Sequence, residues 1–314
     1  MSQSSTSSKK SGQSKFSRFL YNDNTVGYFF IGLFVIGFLV FTVYPLFMSL
    51  YYSMTKYDGL SAPQWIGLRN YIRMFTTDIR YKKSLLTTFI YVFTSVPLRL
   101  IFALIVAMMF KRGGRVVAAY RTLFYLPSVI GGSVAVAVIW RQLWGYGGII
   151  NKAFNALGLI EGDFSFIASS STALSTVVVL AVWQFGSPML VFLAGLKDIP
   201  TSYYEAAEVD GANKWQQFWK ITLPCLSPVI FFNLINQMIS GFMAFTQAYI
   251  VTRGGPNDAT NLYVVYLFER SFTSRQMGYG SAMAWVLIVI VGIMTAILFN
   301  TQHKWVFYES KGGK

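Results

Sequence analysis

Five stretches of this chain contain no Asp, Glu, Lys or Arg: Asn24 to Thr55, Thr122 to Trp140, Phe164 to Leu196, Ile221 to Thr252 and Gln276 to His303. Each can hold the roughly 20 residues that cross a bilayer as a helix. A sixth run, Ser84 to Phe110, carries one charge, Arg99, near its middle. The expectation is six spans, near residues 27–50, 84–110, 118–142, 172–196, 222–250 and 280–301. Any single run could be a buried helix of a large soluble protein. Six of them in a chain that is 12% charged leave almost no polar surface for water, since soluble domains carry about twice that share. The fold class is therefore an all-α membrane protein.

The first 26 residues, beginning MSQSSTSSKKSGQSK, are Ser-rich and basic without apolar periodicity and read as a solvated tail. Residues 27–314 then form one transmembrane domain. The run after the tail is too long for a signal h-region and lacks a clear cleavage site, so it reads as an uncleaved first span. Six spans put both termini on one side. Lys and Arg are nearly balanced between the two sides, but the KRGGR turn at 111–115 favours cytoplasmic termini. A net charge of +14 fits contact with anionic lipid headgroups; no basic domain supports nucleic-acid binding. The single cysteine, Cys225, excludes a disulfide framework and a Cys-rich metal site, and the lone His303 ends the last span beside Lys304.

No GxxxxGKS or GxxxxGKT phosphate loop occurs, so this chain does not cradle ATP in that way. No acidic residue lies inside an expected span, which disfavours an ion-driven carrier. Uphill transport would then draw its energy from another subunit.

The segment YYEAAEVDGANKWQQFWKITLP, 203–224, is polar between two apolar runs. Ser202-x-x-Glu205 has capping-box spacing and predicts a helix from Tyr203. Gly211 is placed to end it in a left-handed conformation. Asn213-x-x-Gln216 has the form of a second cap. Trp215, Phe218 and Trp219 recur at helical spacing, and Pro224 suits the first turn of the next span. This predicts two short helices bent around a glycine. The loop either docks on a partner or packs on its own bundle with Glu205 as a cap.

Glu205-Ala206-Ala207, Gly211 and Ile221-x-Leu223-Pro224 resemble the EAA loop of the permeases of bacterial binding-protein-dependent ABC importers. GLKDIPTSYYEAAEVDGA, IGLRNYIRMF (66–75), FYLPSV (124–129) and TRGGPNDAT (252–260) resemble the carbohydrate-uptake branch, in particular the maltose- and oligosaccharide-type first permease. The resemblance implies a six-helix core in the cytoplasmic membrane. It further implies a second related permease, two ATPase subunits that bind the ATP and Mg, and an extracytoplasmic solute-binding protein. No cofactor and no catalysis belong to this chain. Glu205, Ala206, Ala207, Asp210 and Gly211 would form the contact with the ATPase, within a loop at about 198–221. Arg253 stands where the family commonly has Gly, and Arg99 where it more often has an uncharged polar residue.

In the fifth expected span, Asn233, Asn236, Gln237, Ser240 and Gln247 fall on one helical face. That face either bonds to the partner permease or lines the pathway, where uncharged amides and hydroxyls would match sugar hydroxyls. Tyr125, Trp140 and Trp183 are candidate stacking aromatics. Arg99 is an anchor to a polar neighbour or a pathway residue. Import of a sugar or oligosaccharide leads; uptake of a glycerol phosphodiester or polyol phosphate, or a self-contained facilitator, are the alternatives.

Overall fold

Some prolines widen a turn of an apolar run, and others, such as Pro97, are carried inside an unbroken helix. The computed structural model describes residues 23–111, 113–160 and 162–307. Helix α1 (Asp23–Phe38) continues into α2 (Tyr44–Ser53) through a widened turn, Leu39–Val43. Pro45, in the first turn of α2, has no N–H to offer the carbonyl four residues back; the turn before it opens, and the Tyr44 N–H bonds to the Leu39 carbonyl instead. The expected tail lies outside the described residues as far as residue 22, and its last four residues are already helical.

A two-stranded antiparallel hairpin follows, β1 (Thr55–Lys56) with β2 (Gln64–Trp65), Thr55 opposite Trp65. Then come the short α3 (Arg69–Thr76) and the 31-residue α4 (Ile79–Met109). Asp78 caps α4, accepting the Tyr81 N–H at 3.0 Å. The middle of α4 buries Tyr91, Val92, Val96, Leu100, Ala103 and Ala107, the helical spacing of one face. The core of the molecule forms against this face, with Leu193, Leu196, Leu226 and Phe242 of later helices.

Two expected spans are broken. The third is α5 (Arg115–Ile130) and α6 (Val134–Trp144), the latter leading into α7 (Ile149–Ala156), with a 96° bend between the two halves. The break falls at Gly131-Gly132-Ser133, where the Ser133 hydroxyl caps α6 through the Val136 N–H. The fourth is α8 (Ala173–Trp183) and α9 (Gly186–Asp198), bent by 42°. The fifth ends earlier than expected, at Phe242. After α10 (Thr201–Val209) and α11 (Lys214–Gln217), α12 runs Leu223–Phe242, and a separate α13 (Thr246–Thr252) follows. Short α14 (Tyr263–Phe268) and long α15 (Met277–Thr301) complete the chain. Among the described residues four helices are long and apolar enough to cross a membrane, or six if each bent pair is one span. Six is the expected number.

Candidate functional site: the 201–217 loop and the broken helices

The loop is built by two different stops. At its first end Ile199 is extended and Pro200 is the N-cap residue, so α10 starts at Thr201. The expected capping box at Ser202 and Glu205 is absent: both residues lie within α10, and no side chain caps it. Proline overrides the S-x-x-E signal because its fixed φ and the extended residue before it set the helix start. At the far end the expectation holds. Gly211 has φ +77°, the Ala212 N–H reaches the Ala207 carbonyl at 2.8 Å and the Gly211 N–H reaches Glu208 at 3.0 Å. These two bonds are a Schellman closure. Asn213 and Gln216 then form a complete capping box, each 2.9 Å from the other's backbone N–H.

α11 is not a separate short helix. It passes through a widened turn, Phe218–Thr222, directly into α12, and Lys214–Phe242 is one span. Pro224 is the cause, as Pro45 is in the first span: the Lys220 carbonyl has no N–H four residues on.

The inner side of α10 is tied down. The Tyr204 hydroxyl is 3.0 Å from the Thr222 hydroxyl, and Lys111 lies 4.2 Å from the Tyr204 ring centre. The outer side is free: Glu205, Ala206 and Asp210 are exposed, and Val209 is 89% exposed. Glu208 pairs with Lys214 across the bend at 2.5 Å. Trp215, 68% exposed, stacks on Phe218, and Trp219, 50% exposed, meets both rings edge-on, at the start of a span where indoles favour the headgroup level. Two clefts of about 390 and 440 Å³ flank the bend, both lined by Ala207, Asp210, Lys220 and Ile221. The loop is self-capped, packed on its own bundle through Tyr204 on its inner side and exposed on its outer side.

At the helix breaks the polar residues have specific tasks. Residue 188 is proline, so the Gln184 carbonyl lacks its helical donor. Arg99 supplies it, donating from Nε at 3.0 Å and from Nη2, and the Ser128 hydroxyl adds a third bond at 2.8 Å. Arg99 is thus the anchor of the α8–α9 bend. Gly186 lets this bend touch α5, where a Cβ would come 2.7 Å from the Phe124 carbonyl oxygen. At the other break the Gln247 side chain donates to the Gly131 carbonyl at 2.6 Å. Removing both Arg99 and Ser128 donors, as Arg99→Leu/Ser128→Ala, leaves a buried carbonyl bare. We expect thermal unfolding in detergent to show a loss of about 1–3 kcal/mol for the pair and less for either single change.

The expected five-residue stripe does not survive the α12–α13 break. Gln247 leaves it for Gly131, and Asn233 is buried and faces the Pro188 carbonyl at 3.5 Å. Asn236 and Ser240 are exposed and Gln237 half-buried, with the Asn236 amide bonded to its own helix at Phe232. Trp140 and Trp183 pack together at 5.9 Å, and the Trp140 N–H bonds to the Thr176 carbonyl. Tyr125 is half-buried opposite Gly186. An 810 Å³ cleft beside the 252–256 loop is lined by Arg141, Gln142, Tyr146 and Ser165 and by none of these eight residues. In that loop Arg253 is exposed and left-handed at φ 52°, a region that favours glycine.

Sequence reasoning missed the network at the opposite end from the 201–217 loop. Arg80 forks onto Asp258, with Nε at 3.0 Å and Nη2 at 2.7 Å, and onto Glu269 at 2.7 Å. Lys83 reaches the Asn257 carbonyl at 2.5 Å. Buried Asp78 accepts from the Tyr266 and Tyr279 hydroxyls, each at 2.7 Å, and from Arg270 at 3.5 Å. The available signal was Asp78 as a helix-capping residue six positions before the run that starts at Ser84.

Residues 80–305 match the sequence profile of the family described as binding-protein-dependent transport system inner membrane component. The chain is 56% identical to a probable ABC transporter permease protein, YesP, of Bacillus subtilis, over 95% of this chain and 96% of that protein. It is 30% identical to the multiple sugar-binding transport system permease protein MsmF of Streptococcus mutans, over 85% and 91% of the two chains. Its fold is similar to a chain of a bacterial alginate ABC transporter solved in complex with an alginate pentasaccharide-bound periplasmic protein. The TM-score is 0.77, with 19% identity over 89% of this chain and 94% of that one.

Proposed function

This chain belongs to the family of binding-protein-dependent transport system inner membrane components, and from that premise we propose that it is one of two related permeases of an ATP-driven sugar or oligosaccharide importer. The second permease completes the pathway, two ATPase subunits seat on the 201–217 loops, and an extracytoplasmic binding protein delivers the solute. Both termini lie in the cytoplasm. The observation that carries the reading is the loop itself: Glu205, Ala206, Asp210 and Gly211 are exposed on a bend that the chain's own bundle does not cover. Small alanines permit close approach, and the carboxylates offer charge-assisted contacts to a basic partner.

On the solute side, exposed Asn236 and Ser240 and half-buried Gln237 offer neutral donors and acceptors suited to sugar hydroxyls. A phosphorylated solute would need a free cation on the pathway. Arg99 is the candidate, and two of its donor groups, Nε and Nη2, go to the Gln184 carbonyl.

Reconstituted by itself in liposomes, the chain should hydrolyse no ATP and pass no sugar. Adding the second permease, the ATPase subunits and the sugar-loaded binding protein should restore both. ATPase activity or sugar flux from the chain alone would overturn the proposal.

A further inference from the structure

At the end of the bundle opposite the 201–217 loop, the β1–β2 hairpin, α3 and the start of α15 enclose a cleft of about 480 Å³ whose lining includes Lys56, Arg69, Arg73 and Arg275. Of the other cations at this end, Arg80 pairs with Asp258 and Glu269 and Arg270 with Asp78, while Lys82 and Lys83 reach the backbone carbonyls of Thr76 and Asn257. None of the four in the cleft pairs with a carboxylate among the described residues. Lys56, Arg69 and Arg275 are exposed, and Arg73 lies 5.0 Å from the Tyr279 ring centre, with a 3.4 Å bond to Gln276. The one carboxylate in the lining, Asp58, is turned into its own loop. Its Oδ1 accepts the Leu60 N–H at 2.9 Å and the Ser61 N–H and hydroxyl, both at 2.8 Å.

The surroundings set the depth of the cleft. Along α3 and its N-cap, Leu68, Ile72 and Phe75 recur on one exposed edge, and Arg69 and Arg73 form the neighbouring edge. An exposed helix with one apolar and one cationic edge lies in the membrane interface. Tyr51 and Trp65, both exposed and 5.9 Å apart, are the aromatic pair expected at that level. From here α2 and α15 run into the apolar layer.

The geometry points to a bound anionic phospholipid: its headgroup phosphate occupies the cleft among Lys56, Arg69, Arg73 and Arg275, and its acyl chains lie along Leu68, Ile72 and Phe75. The adjoining apolar edge selects a lipid over free phosphate. This site goes beyond the transport reading and does not depend on the solute or the ATPase.

The test uses the purified full chain in neutral detergent with dioleoylphosphatidylglycerol or dioleoylphosphatidylcholine, with retained lipid read by native mass spectrometry. Phosphatidylglycerol should be held preferentially, and retention should fall about fivefold for each cation removed, in Lys56→Gln and further in Arg69→Gln/Arg275→Gln. Arg115→Gln/Lys152→Gln, which removes two exposed cations elsewhere, should leave it unchanged. Lys56→Gln is on the hairpin rim and should retain the wild-type melting temperature, so a folding defect in the double variant does not decide the result. Equal retention of the two lipids, or no change in the cleft variants, overturns the assignment. Full displacement by glycerol 3-phosphate would make it a soluble-anion site instead. Loss of binding-protein affinity with lipid retention intact would make it a docking site for acidic side chains.

Discussion

Asp78→Leu should lower the stability of the folded chain by about 3–5 kcal/mol, the cost of leaving the partners of a buried charge uncompensated. The carboxylate joins three elements: it caps α4 through the Tyr81 N–H, and it holds Tyr266 of α14 and Tyr279 of α15 through their hydroxyls, with Arg270 alongside. Asp78→Asn keeps the shape and removes the charge, so its loss should be smaller, about 1.5–3 kcal/mol. Burial by itself raises the Asp78 pKa, but the two tyrosine hydroxyls, the Tyr81 N–H and Arg270 outweigh it and leave the carboxyl below its ordinary value of 3.8. The sign follows. A depressed folded pKa gives stability that is fully present above 3.8 and is lost as pH falls through the lower folded value. Wild type and Asp78→Asn should therefore differ most at neutral pH and converge in strong acid. Thermal unfolding of both in detergent at pH 7 and under strongly acid conditions measures this; equal melting temperatures at pH 7 would show that the network adds nothing.

The spans were legible because hydropathy needs only counting, whereas their breaks depend on spacing between residues in different runs. Gly131-Gly132-Ser133 could have signalled the α5–α6 bend from sequence. The α8–α9 bend has a signal too, Pro188 four residues after Gln184, but its stabiliser does not: Arg99 and Ser128 come from two other helices. The same limit explains the polar stripe. Periodicity from Asn233 to Gln247 assumes one continuous helix, and the chain leaves that helix at Met243. In the loop, Gly211 and the Asn213–Gln216 box were readable because both are local chemistry. The capping box at Ser202 failed because Pro200 imposes an earlier start. Asp78 was visible only as a cap; its link to Tyr266 and Tyr279 spans 188 and 201 residues of sequence, which no local pattern carries.

Glu205→Gln and Gly211→Val should each abolish or uncouple transport, by different routes that can be told apart. Glu205 caps nothing, is exposed and makes no hydrogen bond or ion pair within the chain among the described residues. Its replacement by Gln should leave the stability of the isolated chain unchanged. If the loop seats on an ATPase, the change removes a charge-assisted contact of about 1.5–3 kcal/mol, so attachment should weaken about ten- to a hundredfold. Gly211 differs, because a Cβ there would meet open space and the constraint is φ +77° alone. A side chain in that left-handed region costs roughly 1–2 kcal/mol, and β-branching makes valine the worse case. Gly211→Val should therefore reopen the Schellman closure, change how α10 is presented, and reduce both ATPase retention and sugar uptake. Gly211→Asn tolerates the left-handed turn and should retain most activity. Co-purification of the ATPase with the permease pair, measured beside sugar uptake and the melting temperature of the chain, separates the cases. Normal retention and normal coupling in Glu205→Gln would remove this carboxylate from the interface, and wild-type behaviour of Gly211→Val would show that the bend is not the shape the partner reads.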